Sequence, residues 1–177
     1  MHAIKRSVYP RRDEAILLVL LDTGIRASEL CGLSMSDLDL TSRSFRVLGK
    51  GNKYRTCYIG QVTTRSLTKY LRCHKRSKED AIFLSERGRN FTPSGLRQLT
   101  ERWCRTAKIP VYGCHAFRRT FAVEFLRNSQ GSVFTCQALL GHSDLTMTRR
   151  YCAVAETNIA DEHRNFSPAD RFGKAFS

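Results

Sequence analysis

The chain has 177 residues, 41% of them hydrophobic and 26% charged, which is the length of one domain with enough apolar content for a real core. Its longest apolar run, Ala15 to Leu21, falls far short of a membrane span, and the stretch MHAIKRSVYPRRDE is too polar for a signal peptide, so membrane and secreted readings drop out and a cytoplasmic protein is expected. Thirty Lys and Arg against 16 Asp and Glu leave a net charge of +14, a surplus that a polyanion relieves, which makes nucleic acid the leading partner.

The surplus is uneven. Residues 1–60 hold ten basic and six acidic side chains, residues 61–120 fourteen and four, and residues 121–177 six and six. A basic middle and a neutral end suggest that nucleic acid lies against the middle. The seven cysteines, Cys31, Cys57, Cys73, Cys104, Cys114, Cys136 and Cys152, form no C-x-x-C pair. Their odd count and wide spacing suit neither zinc nor a disulfide framework, so they read as reduced thiols, mostly small core residues.

In chain order, Arg12 to Asp22 reads as a helix that is nearly apolar on all sides and hence deeply buried. Thr23-Gly24 breaks it, and Arg26 to Leu33 reads as a short second helix. Phe45 to Leu48 and Tyr54 to Ile59 read as the two strands of a hairpin, joined by the turn-forming Gly49-Lys50-Gly51-Asn52-Lys53. Val62 to Arg76 is expected to be helical and Ile82 to Leu84 a short strand. Thr92 is a candidate N-cap with Pro93 at the first position of a helix running to about Ala107, which would bury Leu96, Leu99 and Trp103. His115 to Asn128, Val133 to Leu140, Asp144 to Arg150 and Ala153 to Arg164 read as further helices, punctuated by Gly131 and Gly141. The expected fold is mainly α with one small β-hairpin.

Three segments carry residues suited to phosphate chemistry. Thr23 to Leu30, TGIRASEL, sets an Arg at a helix start. His115-Ala116-Phe117-Arg118 sets a His and an Arg at i and i+3, on one helix face. Leu140-Gly141-His142-Ser143 is followed by Tyr151, nine residues after His142. Taken alone, each has an ordinary reading: a surface Arg, a solvent-facing His–Arg pair, a packing Tyr, a solvated turn Lys. Their joint occurrence in order displaces those readings.

With TGIRASEL, GKGNKYR, HAFR and LLGHSDLTMTRRY in that order, the chain resembles the tyrosine recombinases of the phage-integrase family over about Arg12 to Ala155. The resemblance implies the tyrosine-recombinase catalytic-domain fold, with residues 1–152 as its core and 153–177 as a C-terminal helix and tail. It implies Tyr151 as nucleophile and Arg26 and Arg118 as the clamp on the scissile phosphate. Lys50 of the hairpin would be the general acid, with Lys53 as its nearest rival. His115 and His142 would complete the site (the latter position can be Trp in relatives), and Glu29 would support it. Lys53, Arg55, Arg119, Arg149 and Arg150 are candidate contacts to DNA phosphates. His74 and His163 match nothing in the family pattern.

The chemistry agrees with this assignment. Attack on a phosphodiester builds charge on the non-bridging oxygens, which planar guanidiniums bind in bidentate fashion. No H-E-x-x-H or P-loop is present and no acidic cluster offers a metal site, so no metal or other cofactor is expected. A tyrosine with a pKa of about 10 needs a neighbouring base or cations to act at neutral pH. The departing 5′ hydroxyl needs a proton, which Lys50 can deliver.

Against the family pattern, an N-terminal core-binding domain is expected to be absent and the first catalytic-domain helix clipped. The chain then reads as a catalytic-domain fragment, monomeric alone, or as a naturally short recombinase. Tyr58 stands near a position that is often Pro. The resemblance further implies double-stranded recombination sites as substrate and a tetramer on DNA, with the C-terminal segment docking on a neighbouring protomer. The rival readings are a type IB topoisomerase-like enzyme, which rejoins the same strand, and a regulator of the same fold without catalysis.

Overall fold

The computed structural model describes residues 2–49, 52–73, 77–128 and 133–141. Seven helices and one small sheet are found among them. The helices are α1 (His2–Lys5), α2 (Pro10–Thr23), α3 (Ala27–Cys31), α4 (Gln61–Leu71), α5 (Pro93–Ala107), α6 (Cys114–Asn128) and α7 (Val133–Leu140). The strands are β1 (Leu38–Asp39), β2 (Ser44–Leu48) and β3 (Tyr54–Tyr58). The expected helices at 144–150 and 153–164, and the expected boundary at 152, lie outside the described residues.

Pro10 opens α2 at a position whose amide has no helical partner to lose. Gly24 closes it in the left-handed conformation, donating its amide to the Leu20 carbonyl. Ala15, Ile16, Val19 and Leu20 are fully buried, whereas Leu17, Leu18 and Leu21 are half-buried. The apolar helix is therefore sunk on one side rather than all round. It packs against both α4 and α6, which makes it the central post of the fold.

The two expected strands are present, and a third joins them. β2 and β3 are antiparallel, with five pairs running from Ser44–Tyr58 to Leu48–Tyr54. β1 adds two residues on the other edge of β2, Leu38 opposite Phe45. Two residues are too few to show an alternation. The turn after β1 is set by Asp39, whose carboxylate accepts from the Thr41 and Ser42 amides at 2.8 and 3.2 Å. The inward residues of the sheet are Phe45, Val47 and Cys57.

Ile82 to Leu84 does not form the expected strand. The segment makes only isolated bridges, Ser34 to Ala81 and Leu84 to Asn90, because Ile82 and Phe83 are held by burial rather than by a ladder. The second helix is shorter than expected, ending at Cys31 with Gly32 as its cap, and the fourth ends at Leu71. Thr92 caps α5 as expected, accepting from the Gly95 amide at 3.1 Å, with Leu96, Leu99 and Trp103 buried. Of the six described cysteines, all free, only Cys57, Cys104 and Cys136 are buried; Cys31 and Cys114 are half-buried and Cys73 is exposed. Core packing thus accounts for half of them.

One buried ion pair ties the first half of the molecule together. Arg12 donates to Asp13 at 2.8 and 2.9 Å and to the Leu84 carbonyl at 3.3 Å. Its guanidinium also lies 4.5 and 5.3 Å from the ring centroids of Tyr9 and Phe91. Asp13 accepts further bonds from the Ser7 hydroxyl and from Trp103 Nε1. A small second core, Ala122, Leu126, Cys136 and Leu140, joins α6 to α7. Among the described residues no helix is long and apolar enough to cross a membrane.

Candidate active site

Arg26 is the N-cap of α3. The turn that delivers it depends on Gly24, whose φ of +59° places it in the left-handed region. A Cβ there would meet Leu140 Cδ2 at 2.8 Å and Phe121 Cδ1 at 2.9 Å, so glycine also lets α6 and α7 close on the turn.

Three residues on, the buried Glu29 carboxylate collects four hydrogen bonds. Its Oε2 accepts from the Arg26 amide at 2.9 Å and from Arg55 at 2.8 Å; its Oε1 accepts from the Arg26 guanidinium at 2.8 Å and from Arg55 at 2.7 Å. Burial alone would raise this carboxyl. The bonds from Arg55 and Arg26 outweigh burial and hold it at about 2.

The arginines also converge on the end of α7. A helix leaves its last carbonyls without partners. Here Leu139 O accepts from Arg55 Nε at 3.1 Å, Leu140 O from Arg118 at 2.6 Å and Gly141 O from Arg26 at 3.3 Å. Three successive carbonyls are thus held by guanidiniums from β3, α6 and the start of α3. Arg118 makes one more such bond, to Gly24 O at 2.8 Å, so it joins the ends of α2 and α7. Positive charge at two helix C-termini is also favoured by their dipoles.

Arg26 and Arg118 are therefore brought onto adjacent carbonyls, although 92 residues separate them in the chain. Arg118 is 2% exposed, whereas the Arg26 side chain is 35% exposed and open to a ligand from solvent. His115 stands in the first turn of α6, exposed, one turn before Arg118. Arg119 and Lys53 are exposed, as a contact to DNA backbone requires. Lys50, His142, Arg149, Arg150 and Tyr151 lie outside the described residues, as do His74 and His163.

Arg55, a candidate phosphate contact in the sequence, is held inside the protein. Its side chain is 13% exposed, and all three of its guanidinium nitrogens donate within the protein. The signal was in the register. Arg55 pairs with Val47 across the sheet, two residues before the inward Cys57, so alternation turns it inward. Cys57, beside this cluster, stays a thiol: burial pushes it up to about 11 despite the nearby guanidiniums.

Gly141 is the second glycine whose conformation matters. Its φ is +64°, and a Cβ there would lie 2.9 Å from Arg55 Cδ and 3.1 Å from its Nε. The Gly of the LLGH segment is thus needed both for the turn and for the close passage of Arg55.

A helical domain with an arginine–carboxylate cluster at the mouth of a small sheet now has its family. The chain belongs to the phage integrase family, whose model matches residues 1–158. Among curated proteins it is similar to the tyrosine recombinase XerD of Halalkalibacterium halodurans, 34% identical over 170 residues, covering 92% of this chain and 56% of that protein. It is also similar to the tyrosine recombinase XerC of Staphylococcus carnosus, 37% identical over 161 residues, covering 89% and 54%. The chain thus spans about half the length of the curated relatives it matches. A crystal structure of the XerA recombinase superposes with a TM-score of 0.77 at 30% identity, covering 94% of this chain and 62% of that one. The XerH recombinase bound to its palindromic difH substrate shares the fold, with a TM-score of 0.75 at 23% identity.

Proposed function

We propose that this chain carries the catalytic part of a site-specific DNA recombinase, an integrase of a mobile genetic element, that cuts and rejoins strands through a 3′-phosphotyrosyl intermediate. The observation that carries the reading is the charge balance of the cluster. Two guanidiniums, from Arg26 and Arg55, converge on one carboxylate, Glu29, and Arg118 joins them on the backbone carbonyls at the end of α7. That is an excess of one positive charge among the groups bonded to Glu29, and Arg26 is open to solvent beside it. Such an excess in a partly desolvated place favours an incoming anion. The kinship to the XerC and XerD recombinases supports reading that anion as a DNA phosphate.

In this reading Tyr151 Oη attacks the scissile phosphorus and the bond from phosphorus to the 5′ oxygen breaks. The tyrosine proton passes to a neighbouring histidine, His142 or His115, and Lys50 delivers a proton to the departing 5′ oxygen. Arg26 and Arg118 stabilise the charge on the non-bridging oxygens. The phosphotyrosyl bond conserves the energy of the phosphodiester, so a 5′ hydroxyl from a partner duplex can reverse the step and exchange strands. The substrate is double-stranded DNA, and the residues after 152 are assigned to contacts between protomers in a tetramer.

The test is a nicked suicide duplex, drawn from a pool of candidate element ends, incubated with the protein and run on a denaturing gel. A covalent protein–DNA adduct that Tyr151→Phe abolishes is expected. Junctions between duplexes among the products distinguish a recombinase from an enzyme that only rejoins the same strand. Absence of adduct on a duplex that the protein demonstrably binds defeats the catalytic reading and leaves a DNA-binding regulator.

A further inference from the structure

Arg55 is left without a task once Arg26 and Arg118 are assigned to the phosphate. It differs from Arg118, which bonds backbone carbonyls, in being forked onto a carboxylate: two of its nitrogens lie on Glu29 and the third on Leu139 O. We propose that Arg55 is a positioning residue that locks Glu29 and the C-terminal end of α7 into one unit. The polypeptide leading to His142 and Tyr151 then leaves Gly141 from a fixed point beside Arg26 and Arg118. What the positioning serves rests on the function proposed above; the lock itself rests on the geometry.

Four features support it. The base of Arg55 is rigid, since β3 is paired with β2 over its whole length. Its fork on Glu29 fixes the carboxylate that in turn orients the Arg26 amide and guanidinium. Its Nε reaches α7 one carbonyl before the one taken by Arg118 and two before the one taken by Arg26. Gly141, in the left-handed region, admits the Arg55 stem at a distance no side chain would allow. A lysine cannot substitute, because one ammonium cannot make a planar fork and a third, divergent bond at once.

The test compares wild type with Arg55→Lys and Arg55→Ala by amide hydrogen exchange and by single-turnover cleavage. In both variants, exchange in the peptide ending at Gly141 is expected to rise about tenfold or more, with α5 unchanged, because only a local opening is made easier. On a nicked duplex that wild type cleaves, the rate at saturating DNA is expected to fall about 10²-fold from misplacement of the reacting groups, with the half-saturating DNA concentration within about threefold of wild type. Weaker DNA binding with an unchanged cleavage rate would make Arg55 a phosphate contact and overturn the proposal. Equal loss of protection in α5 and α7 in both variants would make it a general stability residue and also overturn it. If wild type cleaves no duplex, the proposed function fails, while the exchange comparison still decides the lock.

Discussion

Arg12 and Arg55 are both arginines sunk against a carboxylate, yet their surroundings differ in one respect. Around Arg12 the charges balance: one guanidinium, one carboxylate, and two aromatic rings that close the site, with side chains 5% and 0% exposed. Around Arg55 they do not: two guanidiniums, those of Arg26 and Arg55, share one carboxylate, and the remaining donors go to neutral carbonyls. A balanced buried pair has no need of a ligand. An unbalanced one beside an exposed Arg26 is poised for an anion. Burial of charge by itself separates nothing; the sum of charge and the presence of an open edge do.

The sharpest way to break the comparison is to unbalance the first cluster. Asp13→Ala strands Arg12 without its partner and should cost about 3–5 kcal/mol of stability, read by urea unfolding. The cleavage rate of the folded fraction should stay that of wild type. The second cluster should respond in the opposite way. Arg26→Ala should lower the cleavage rate about 10²–10³-fold, as loss of a donor to developing charge does, while costing under ~1 kcal/mol of stability because the side chain is partly exposed. If Arg26→Ala instead unfolds the protein and leaves the cleavage of the remainder unchanged, the two clusters are of one kind.

Acid sharpens the contrast further. Folding holds the Glu29 carboxyl at about 2 against an ordinary 4.5. The stability it adds is therefore complete above about pH 4.5 and is lost as the pH falls through about 2. A carboxyl held that low contributes roughly 3 kcal/mol at neutral pH. Urea titrations between pH 6 and pH 2 should show that decline in wild type and lack it in Glu29→Gln. The smallest effect is expected at Trp103→Phe, which removes one hydrogen bond to Asp13 and should cost about 1–2 kcal/mol. It should leave DNA cleavage untouched.

The helices after α1 and the hairpin were legible because each announces itself locally, whereas the four-residue α1 was not expected. Thr92 marks a helix start, Gly24 and Gly141 mark ends, and apolar spacing fills the spans between; Pro10, which opens α2 two residues before the expected Arg12, was not legible as a start. The two-residue β1 was not legible, since no period shows in two residues, and Ile82 to Leu84 misled because an apolar β-like run is buried without pairing. Arg26, Glu29, His115 and Arg118 were singled out by residue type and order. Arg55 was singled out as a candidate phosphate contact, and its engagement with Glu29 and Leu139 was not legible. Its inward direction follows from its cross-strand partner Val47, which lies on the face of Phe45 and Cys57.

The sequence by itself determined the family and the helical character, because these depend on residue type at short spacing. It also determined the basic character that points to nucleic acid, because charge is additive along a chain. Only the tertiary structure decided which arginines are open and which are engaged. Leu139, Leu140 and Gly141 lie 113 to 115 residues from Arg26, and their carbonyls carry no side-chain identity that a sequence can display. Backbone groups become partners solely through packing, so the joining of Arg26, Arg55 and Arg118 over the end of α7 is a property of the fold.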